Sequence, residues 1–445
     1  MSPNPPTAAI KTLGCKLNQF ESQQIREQLA RLGFSSVPFE SVADVYIINS
    51  CTVTARTDRD CRRLIRHAHR LNPEAFIAVT GCYAQVHREE LEAIPEADLV
   101  VGNDGKASLG HRIAERISPG LLGSQASAVT ALPADHHSYA DGEMLEGFAE
   151  HSRAFVKVQE GCDAHCAYCI IPQARGTSRS VPPEEVLAQA QRLIEAGFPE
   201  LVLIGIHLGK YGLDLEGAPD LTGLLQALVE LPGLGRIRLS SIEPREVGPE
   251  LIELVTGHPR LCRHLHIPLQ SGCDAVLRRM GRPYDTAFYA DLLTRIHEAE
   301  PATCLGADVM VGFPGETDEE FETTFRLVEA LPLNHLHVFT YSVRPGTRAA
   351  DMPNQVPHEV KIARNHRLRD LSVSKREEFA GRVAGQTVSV VLEHPAADLD
   401  GVFDGLSDNY LRVLVPAEER LRGRLVRVRT HSATGDVLRG ELERG

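Results

Sequence analysis

Cys162, Cys166 and Cys169 fall within eight residues of one another in the stretch Cys162-Asp-Ala-His-Cys-Ala-Tyr-Cys169, a C-x3-C-x2-C spacing. Thiolates this close can converge on one metal center. A [4Fe-4S] cluster ordinarily takes four thiolates, one per iron. Three would leave one iron open to bind a small molecule and act on it. Structural zinc closes its tetrahedron with a fourth Cys or His nearby. His165 lies between two of the thiols, where ligation alongside them is awkward. The spacing therefore points to a cluster, with structural zinc or buried thiols as the alternatives.

A second set is spread through the first hundred residues. Ala9–Leu13, Val45–Asn49 and Phe76–Thr80 are short strand-like runs, and Asn18–Leu32 and Thr57–Leu71 carry apolar residues at helical spacing. Such alternation predicts a parallel α/β sheet. Each strand runs into a small residue and then a thiol, as Leu13-Gly14-Cys15, Asn49-Ser50-Cys51 and Thr80-Gly81-Cys82. Ligands bind at the carboxyl ends of such strands, so Cys15, Cys51 and Cys82 are expected to meet at one edge and hold a second cluster. Three unrelated core cysteines are the alternative. Cys61, Cys262, Cys273 and Cys304 have no triplet spacing and read as packing thiols.

The elements that must position these residues follow an α/β plan. From Pro119 to Arg153 the chain is rich in Ala, Ser, Gly, Pro and His and reads as a linker, with His136 and His137 exposed. Strand candidates then recur at Ala154–Gln159, Leu201–Gly205, Arg236–Ser240, His264–Ile267, Cys304–Val311 and Leu336–Tyr341, with helical patterns such as Pro183–Ala196 and Asp318–Leu331 between them. Six such units suit a partial (β/α)6 barrel with its chemistry at the strand carboxyl ends. The C-x3-C-x2-C loop follows the first of them. After Lys375 short β-like runs, Val383–Leu392, Val402–Ser407, Tyr410–Val415 and Leu425–Thr430, predict a small β-barrel of the oligonucleotide-binding kind. The expected division is an α/β domain over 7–118, a linker over 119–150, the barrel over 151–378 and the small β-barrel over 381–445.

Composition narrows the class. The apolar share of 42% and charged share of 24% are those of a globular protein. Ten cysteines in 445 residues do not make a disulfide scaffold and suit a reducing, cytoplasmic setting. No signal peptide or membrane span is expected. A net charge of −13 argues mildly against nucleic acid. Local patches count for more, however. Arg56, Arg59, Arg62, Arg63, Arg66 and Arg70 cluster in one stretch, and Arg422, Arg424, Arg427 and Arg429 in another. Solvated faces are the plain reading of either patch, and an RNA partner is the functional one.

The motifs resemble those of the radical S-adenosylmethionine (SAM) methylthiotransferases over nearly the whole chain. Thr12-Leu-Gly-Cys-Lys-Leu-Asn-Gln19 is similar to the family's opening motif, and Gly161-Cys-Asp-Ala-His-Cys-Ala-Tyr-Cys-Ile-Ile-Pro172 with Arg175-Gly176 to its radical SAM loop. Ser240-Ser-Ile-Glu-Pro244, His264-Leu-His-Ile-Pro-Leu-Gln-Ser-Gly272 and Gly306-Ala-Asp-Val-Met-Val-Gly-Phe-Pro-Gly-Glu316 match further segments. The last barrel resembles the family's TRAM domain. Gly205-Ile-His-Leu-Gly-Lys-Tyr-Gly212 is similar to the loop of the subgroup that methylthiolates threonylcarbamoyladenosine in tRNA. His165 and Gln173 depart from the pattern, standing where the family usually has aromatic residues.

The resemblance implies two [4Fe-4S] clusters and SAM. Cys162, Cys166 and Cys169 would hold the cluster whose free iron chelates the amino and carboxylate groups of SAM. Reductive cleavage there would yield a 5′-deoxyadenosyl radical able to take hydrogen from an unactivated carbon. Cys15, Cys51 and Cys82 would hold an auxiliary cluster carrying the sulfur to be donated. The product would bear a methylthio group at C2 of the adenine next to the anticodon. The partners implied are tRNA and an electron donor such as flavodoxin or ferredoxin, with no membrane. Glu243, Gln270 and Ser271 would line the SAM pocket, against capping or loop hydrogen bonding as the plainer role, and Glu316 would start the next helix. Two same-family alternatives are methylthiolation of isopentenyladenosine in tRNA or of a ribosomal-protein aspartate. A noncatalytic, metal-stabilized RNA-binding protein is the alternative of another class.

Overall fold

Apolar strands flanked by small residues build the first layer. In the computed structural model, which describes residues 5–117, 144–148, 152–397 and 399–443, β1 (Thr7–Thr12), β2 (Ser35–Ser36), β3 (Val45–Ser50), β4 (Phe76–Gly81) and β5 (Leu99–Val101) form one parallel sheet in the order β2-β1-β3-β4-β5. Every residue of the central β3 is buried, as its Val-Tyr-Ile-Ile run requires of a strand covered on both faces. Helix α1 (Lys16–Arg31) packs on one side, through Ile25 and Leu29 against Ile10 and Ile47. Helix α2 (Ala55–Leu71) packs on the other, through Cys61, Ile65 and Ala68 against Tyr46 and Ile48. Thr54 caps α2 in a reciprocal box with Thr57. Arg59, Arg63, Arg66 and Arg70 project from its exposed side. Most of the expected linker, with His136 and His137, lies outside the described residues. Its end does not hang free, since Leu145 and Phe148 are buried in the core of the following layer.

The barrel follows in six parallel strands. β6 (Ala154–Lys157) leads into a short antiparallel pair, β7 (Gln159–Glu160) with β8 (Arg179–Ser180). β9 (Glu200–Ile204) and β10 (Arg236–Leu239) join β6 in the order β10-β9-β6, and β11 (His264–His266), β12 (Cys304–Val311) and β13 (His335–Thr340) run in sequence. Bridges Ile237↔Leu261 and Ser241↔His266 link the two halves. β6 and β13 do not pair, so the barrel is open along one side among the described residues. The N-terminal domain spans that opening. Leu17 and Phe20 of α1 share the core of β6, while Arg344, just past β13, pairs with Asp58 of α2 at 2.7 Å.

A closed five-stranded barrel ends the chain, ordered β14-β15-β16-β18-β17 from β14 (Thr387–Pro395), β15 (Val402–Ser407), β16 (Arg412–Pro416), β17 (Leu425–Thr434) and β18 (Val437–Leu442). The helix His358–Val383 crosses the change of composition at Lys375, with Leu368 in the large barrel's core and Phe379 and Val383 in the small one's.

Between the barrels sits a buried charge cluster. Glu200 accepts from Arg238 at 2.7 Å and from Arg236 at 2.6 Å. The two guanidinium groups reach on to the backbone carbonyls of Ser389, Leu406, Ser407 and Asp408. Burial alone would raise the Glu200 carboxyl, but Arg236 and Arg238 outweigh it and hold it down to about 2. Its contribution is therefore complete above about pH 4.5 and is lost as pH falls toward 2. Glu200→Gln strands two buried cations and should cost about 3–5 kcal/mol in denaturant unfolding. The exposed Arg412–Asp404 pair should be worth about 0–1 kcal/mol. Equal losses from the two changes would refute the assignment.

Candidate functional site

The carboxyl ends of β1, β3 and β4 bring three thiols together. Gly14 stands at φ 93°, and a Cβ there would lie 2.6 Å from Cys51 Cβ and 2.8 Å from its sulfur. Only glycine permits the turn that sets Cys15 beside Cys51. Gly81, at φ 99°, does the same before Cys82, with its Cβ position 2.3 Å from the Ser50 carbonyl oxygen. Asn18 clips the turns together, its amide donating to Leu13 O at 2.7 Å and Ser50 O at 2.9 Å. Cys51 is buried and Cys15 exposed. Burial pushes the Cys51 thiol up to about 11, and the nearby Cys82 and Cys15 push the same way. Cys15, Cys51 and Cys82 thus follow the carboxyl ends of three neighboring parallel strands.

The second set sits at the mouth of the barrel, on the loop between β7 and β8. Cys162 N–H donates to Gly176 O at 3.0 Å, closing the loop's base. Cys162 Sγ lies 3.3 Å from His207 Nδ1 and accepts from Ala164 N–H at 3.4 Å. Cys166 Sγ accepts from Arg282 Nη1 at 3.1 Å. Burial pushes the Cys169 thiol up to about 12, reinforced by Cys166 and Cys162. A cavity of about 750 Å³ opens beside the loop, lined by Cys166, His207, Glu243, Glu246, Arg282 and Tyr284 among others.

Of the three residues expected in a cofactor pocket, Glu243 lines this cavity, paired with Arg282. Gln270 and Ser271 lie at the end of β11 outside it. Gln270 adopts φ 66°, bonds β12 through its backbone and leaves Oε1 buried without a partner. Ser271 is fully buried between Thr324 Oγ1 at 3.2 Å and the Cys273 N–H at 3.3 Å. Glu316 does not start the following helix, which Thr317 caps in a box with Glu320. It accepts instead from Gly312 N–H at 2.6 Å and Arg364 at 2.7 Å. His165 borders the cavity, its carbonyl held by Arg348, and Gln173 donates to Gly346 O at 2.9 Å. Cys61, Cys262 and Cys304 are each buried singly, their thiols pushed up to about 12 by burial.

His207, Glu246 and Arg282 were not expected. His207 Nε2 lies 2.6 Å from Glu246 Oε1, so the carboxylate orients the ring whose other nitrogen meets Cys162. His207 lies in the Gly205–Gly212 motif, which could have flagged it. Arg282 has no such signal.

Arg175 joins the two thiol sets. Its side chain is 0% exposed. Nε donates to Cys82 Sγ at 3.3 Å, Nη1 to Glu160 at 2.8 Å and to Glu21, and Nη2 to Asn18 and to Glu21 at 3.1 Å. Lys106 also pairs with Glu21. The ligand loop's helix, Ile171–Arg175, thus reaches directly to the N-terminal thiols.

Residues 7–102 match the uncharacterized protein family UPF0004, and residues 156–328 match the radical SAM superfamily. Along 98% of its length the chain is 40% identical to the threonylcarbamoyladenosine tRNA methylthiotransferase MtaB of Bacillus subtilis (strain 168), covering 96% of that protein. The chain belongs to the radical SAM methylthiotransferase family. The MtaB of Aquifex aeolicus (strain VF5) is 36% identical over 94% of this chain and 99% of its own. The tRNA-2-methylthio-N(6)-dimethylallyladenosine synthase of Akkermansia muciniphila is 33% identical over 98% of each. Among solved structures, the radical SAM methyltransferase TsrM of Kitasatospora setae, with cobalamin and a [4Fe-4S] cluster bound, superposes with a TM-score of 0.53 over 78% of this chain and 77% of that one. At 15% identity that likeness shows a shared fold.

Membership makes the protein an enzyme that uses a [4Fe-4S] cluster and SAM. The donor set at the barrel mouth fits, because His207, Arg282 and the Ala164 N–H are the kind of groups that stabilize thiolate charge. No helix among the described residues is long and apolar enough to cross a membrane. Arg175→Met should destabilize the protein by about 3–5 kcal/mol, because Glu21 and Glu160 lose a buried partner. Faster proteolysis of the junction between the N-terminal domain and the barrel should accompany the fall. Wild-type stability and wild-type proteolysis in that variant would contradict the bridging role.

Proposed function

We propose that the protein transfers a methylthio group to C2 of threonylcarbamoyladenosine next to the anticodon of tRNA. The observation that supports this reading is Arg175, hydrogen-bonded to Cys82 from the helix that follows Cys169. Cys162, Cys166 and Cys169 would hold the SAM-binding cluster, and Cys15, Cys51 and Cys82 a second [4Fe-4S] cluster bearing the sulfur. The bound cofactors supply the one-electron chemistry that removes hydrogen from an unactivated carbon. The chain supplies charge, orientation and shielding. Arg282 and His207 offset the thiolate charge at Cys166 and Cys162, and Glu246 fixes the His207 ring.

Glu243 and Arg282 form a charged wall of the cavity beside Cys166, placed to meet the polar groups of SAM. Gln270 and Ser271, just past β11, would complete the SAM pocket, where Gln270 Oε1 is buried without a protein partner. The exposed arginine row of α2 and the small C-terminal barrel offer phosphate contacts for tRNA. A flavodoxin- or ferredoxin-type donor in the cytoplasm would supply electrons.

Anaerobically reconstituted protein should hold about eight irons, two four-iron clusters. Cys166→Ala should abolish SAM cleavage. Cys82→Ala should keep SAM cleavage and lose the methylthiolated product. Stoichiometric zinc, or full product from either variant, refutes the scheme. Nucleoside analysis of tRNA from a deletion strain should show loss of methylthio-threonylcarbamoyladenosine alone. Loss of the dimethylallyladenosine derivative instead would move the enzyme to that substrate.

A further inference from the structure

The inner face of the barrel carries polar groups that cluster binding does not use. Leu265, Leu305, Ala307, Val309 and Leu336 pack into the core under the outer helices. Strand alternation therefore turns His264, His266, Asp308, His335 and His337 to the inside. Asp308 Oδ1 lies 3.0 Å from His266 Nε2 and 3.3 Å from His337 Nδ1. His337 is 56% exposed along the open edge strand, with Nε2 left free of that pairing. His264 is buried, and neither ring nitrogen has a partner. Tyr410 of the small barrel stacks on it at 4.2 Å and closes the floor.

Lys16 of the N-terminal domain lies within electrostatic reach of His264. It follows Cys15 at the start of α1, within the same reach of Arg238, Arg153 and Glu200. It has no hydrogen-bond or ion-pair partner among the described residues. The charges there do not cancel. Lys16, Arg153, Arg236 and Arg238 face two carboxylates, Glu200 and Glu393, and Asp308 is already engaged by two imidazoles.

Buried polar nitrogens without partners are costly unless a ligand satisfies them. An apolar substituent on the adenine would leave them unpaired and would leave the surplus positive charge uncompensated. A threonylcarbamoyl substituent brings a carboxylate, a hydroxyl and a urea. We propose that this inner surface reads the threonyl carboxylate of the substrate adenosine, with Lys16 as its counter-cation and the His266–Asp308–His337 row as hydrogen-bonding support. The inference rests on the tRNA reading above and extends it, naming the part of the modified base that is read and the residues that read it. A site built to bond a polar group discriminates far more strongly against an analogue lacking it than an apolar pocket discriminates by shape.

The test uses the reconstituted enzyme and two anticodon stem-loop RNAs, one with threonylcarbamoyladenosine and one with its threonyl carboxylate converted to the primary amide. The wild type should prefer the acid by about 100-fold in kcat/KM, the scale of a charge-assisted bond. In Lys16→Met, at matched iron content, that preference should collapse to about threefold or less. His337→Leu, at an exposed position where folding is not at risk, should reduce the preference by about tenfold. A wild type indifferent to the amide, or a Lys16→Met enzyme that keeps the full preference, overturns carboxylate recognition while leaving tRNA methylthiolation standing. If wild-type enzyme with both clusters intact methylthiolates neither RNA, the underlying reading falls and this one with it.

Discussion

A guanidinium removed from solvent holds the two halves of this molecule in register. The N-terminal sheet and the large barrel each have an apolar core of their own. Apolar contact between them through Leu17 and Phe20 could tolerate small slides. Arg175 cannot, because its five donors are spent on Glu21, Glu160, Asn18 and Cys82 in fixed directions. Placing a charge this deep costs several kcal/mol of desolvation, recovered only if every partner stays in place. The cluster is therefore a device for position more than for net stability. What it positions is one set of thiols against the other.

The same logic governs the opposite end of the barrel. Glu200 is shared by Arg236 and Arg238, whose remaining donors go to carbonyls of the small barrel. Tyr410 is driven into the gap at φ 66°. The small barrel thus serves as the floor of the interior, and any RNA it contacts is held at a fixed distance from the thiols. The open side between β6 and β13 is crossed by the N-terminal domain, through Leu17, Phe20 and Asp58.

Much of this was legible in the sequence, and what escaped has a physical reason. All six barrel strands fall close to where their runs predicted, because the residues that pack under the outer helices, such as Leu265, Leu305 and Leu336, are apolar. The N-terminal thiols were legible because each follows a strand directly. The strands β2, β5, β7 and β8 are two or three residues long and too short for any period to show. β18 carries polar residues on its open face and was missed. The helix His358–Val383 hid the expected domain border because its apolar face changes partner midway. Arg175, His207 and Arg282 could not be assigned from spacing. Their sulfur partners lie 93, 45 and 116 residues away, and only the fold brings them together. The bond of Ser271 to Thr324, 53 residues on, was hidden from spacing for the same reason.

Magnetic resonance of the reconstituted, reduced protein tests most directly whether the two thiol triplets share one interior. Spins held on Cys15, Cys51 and Cys82 and on Cys162, Cys166 and Cys169 should broaden each other across that space. The wild-type spectrum should then differ from the sum of the Cys82→Ala and Cys166→Ala spectra. A wild-type spectrum that equals the simple sum would place the sites far apart and contradict the arrangement.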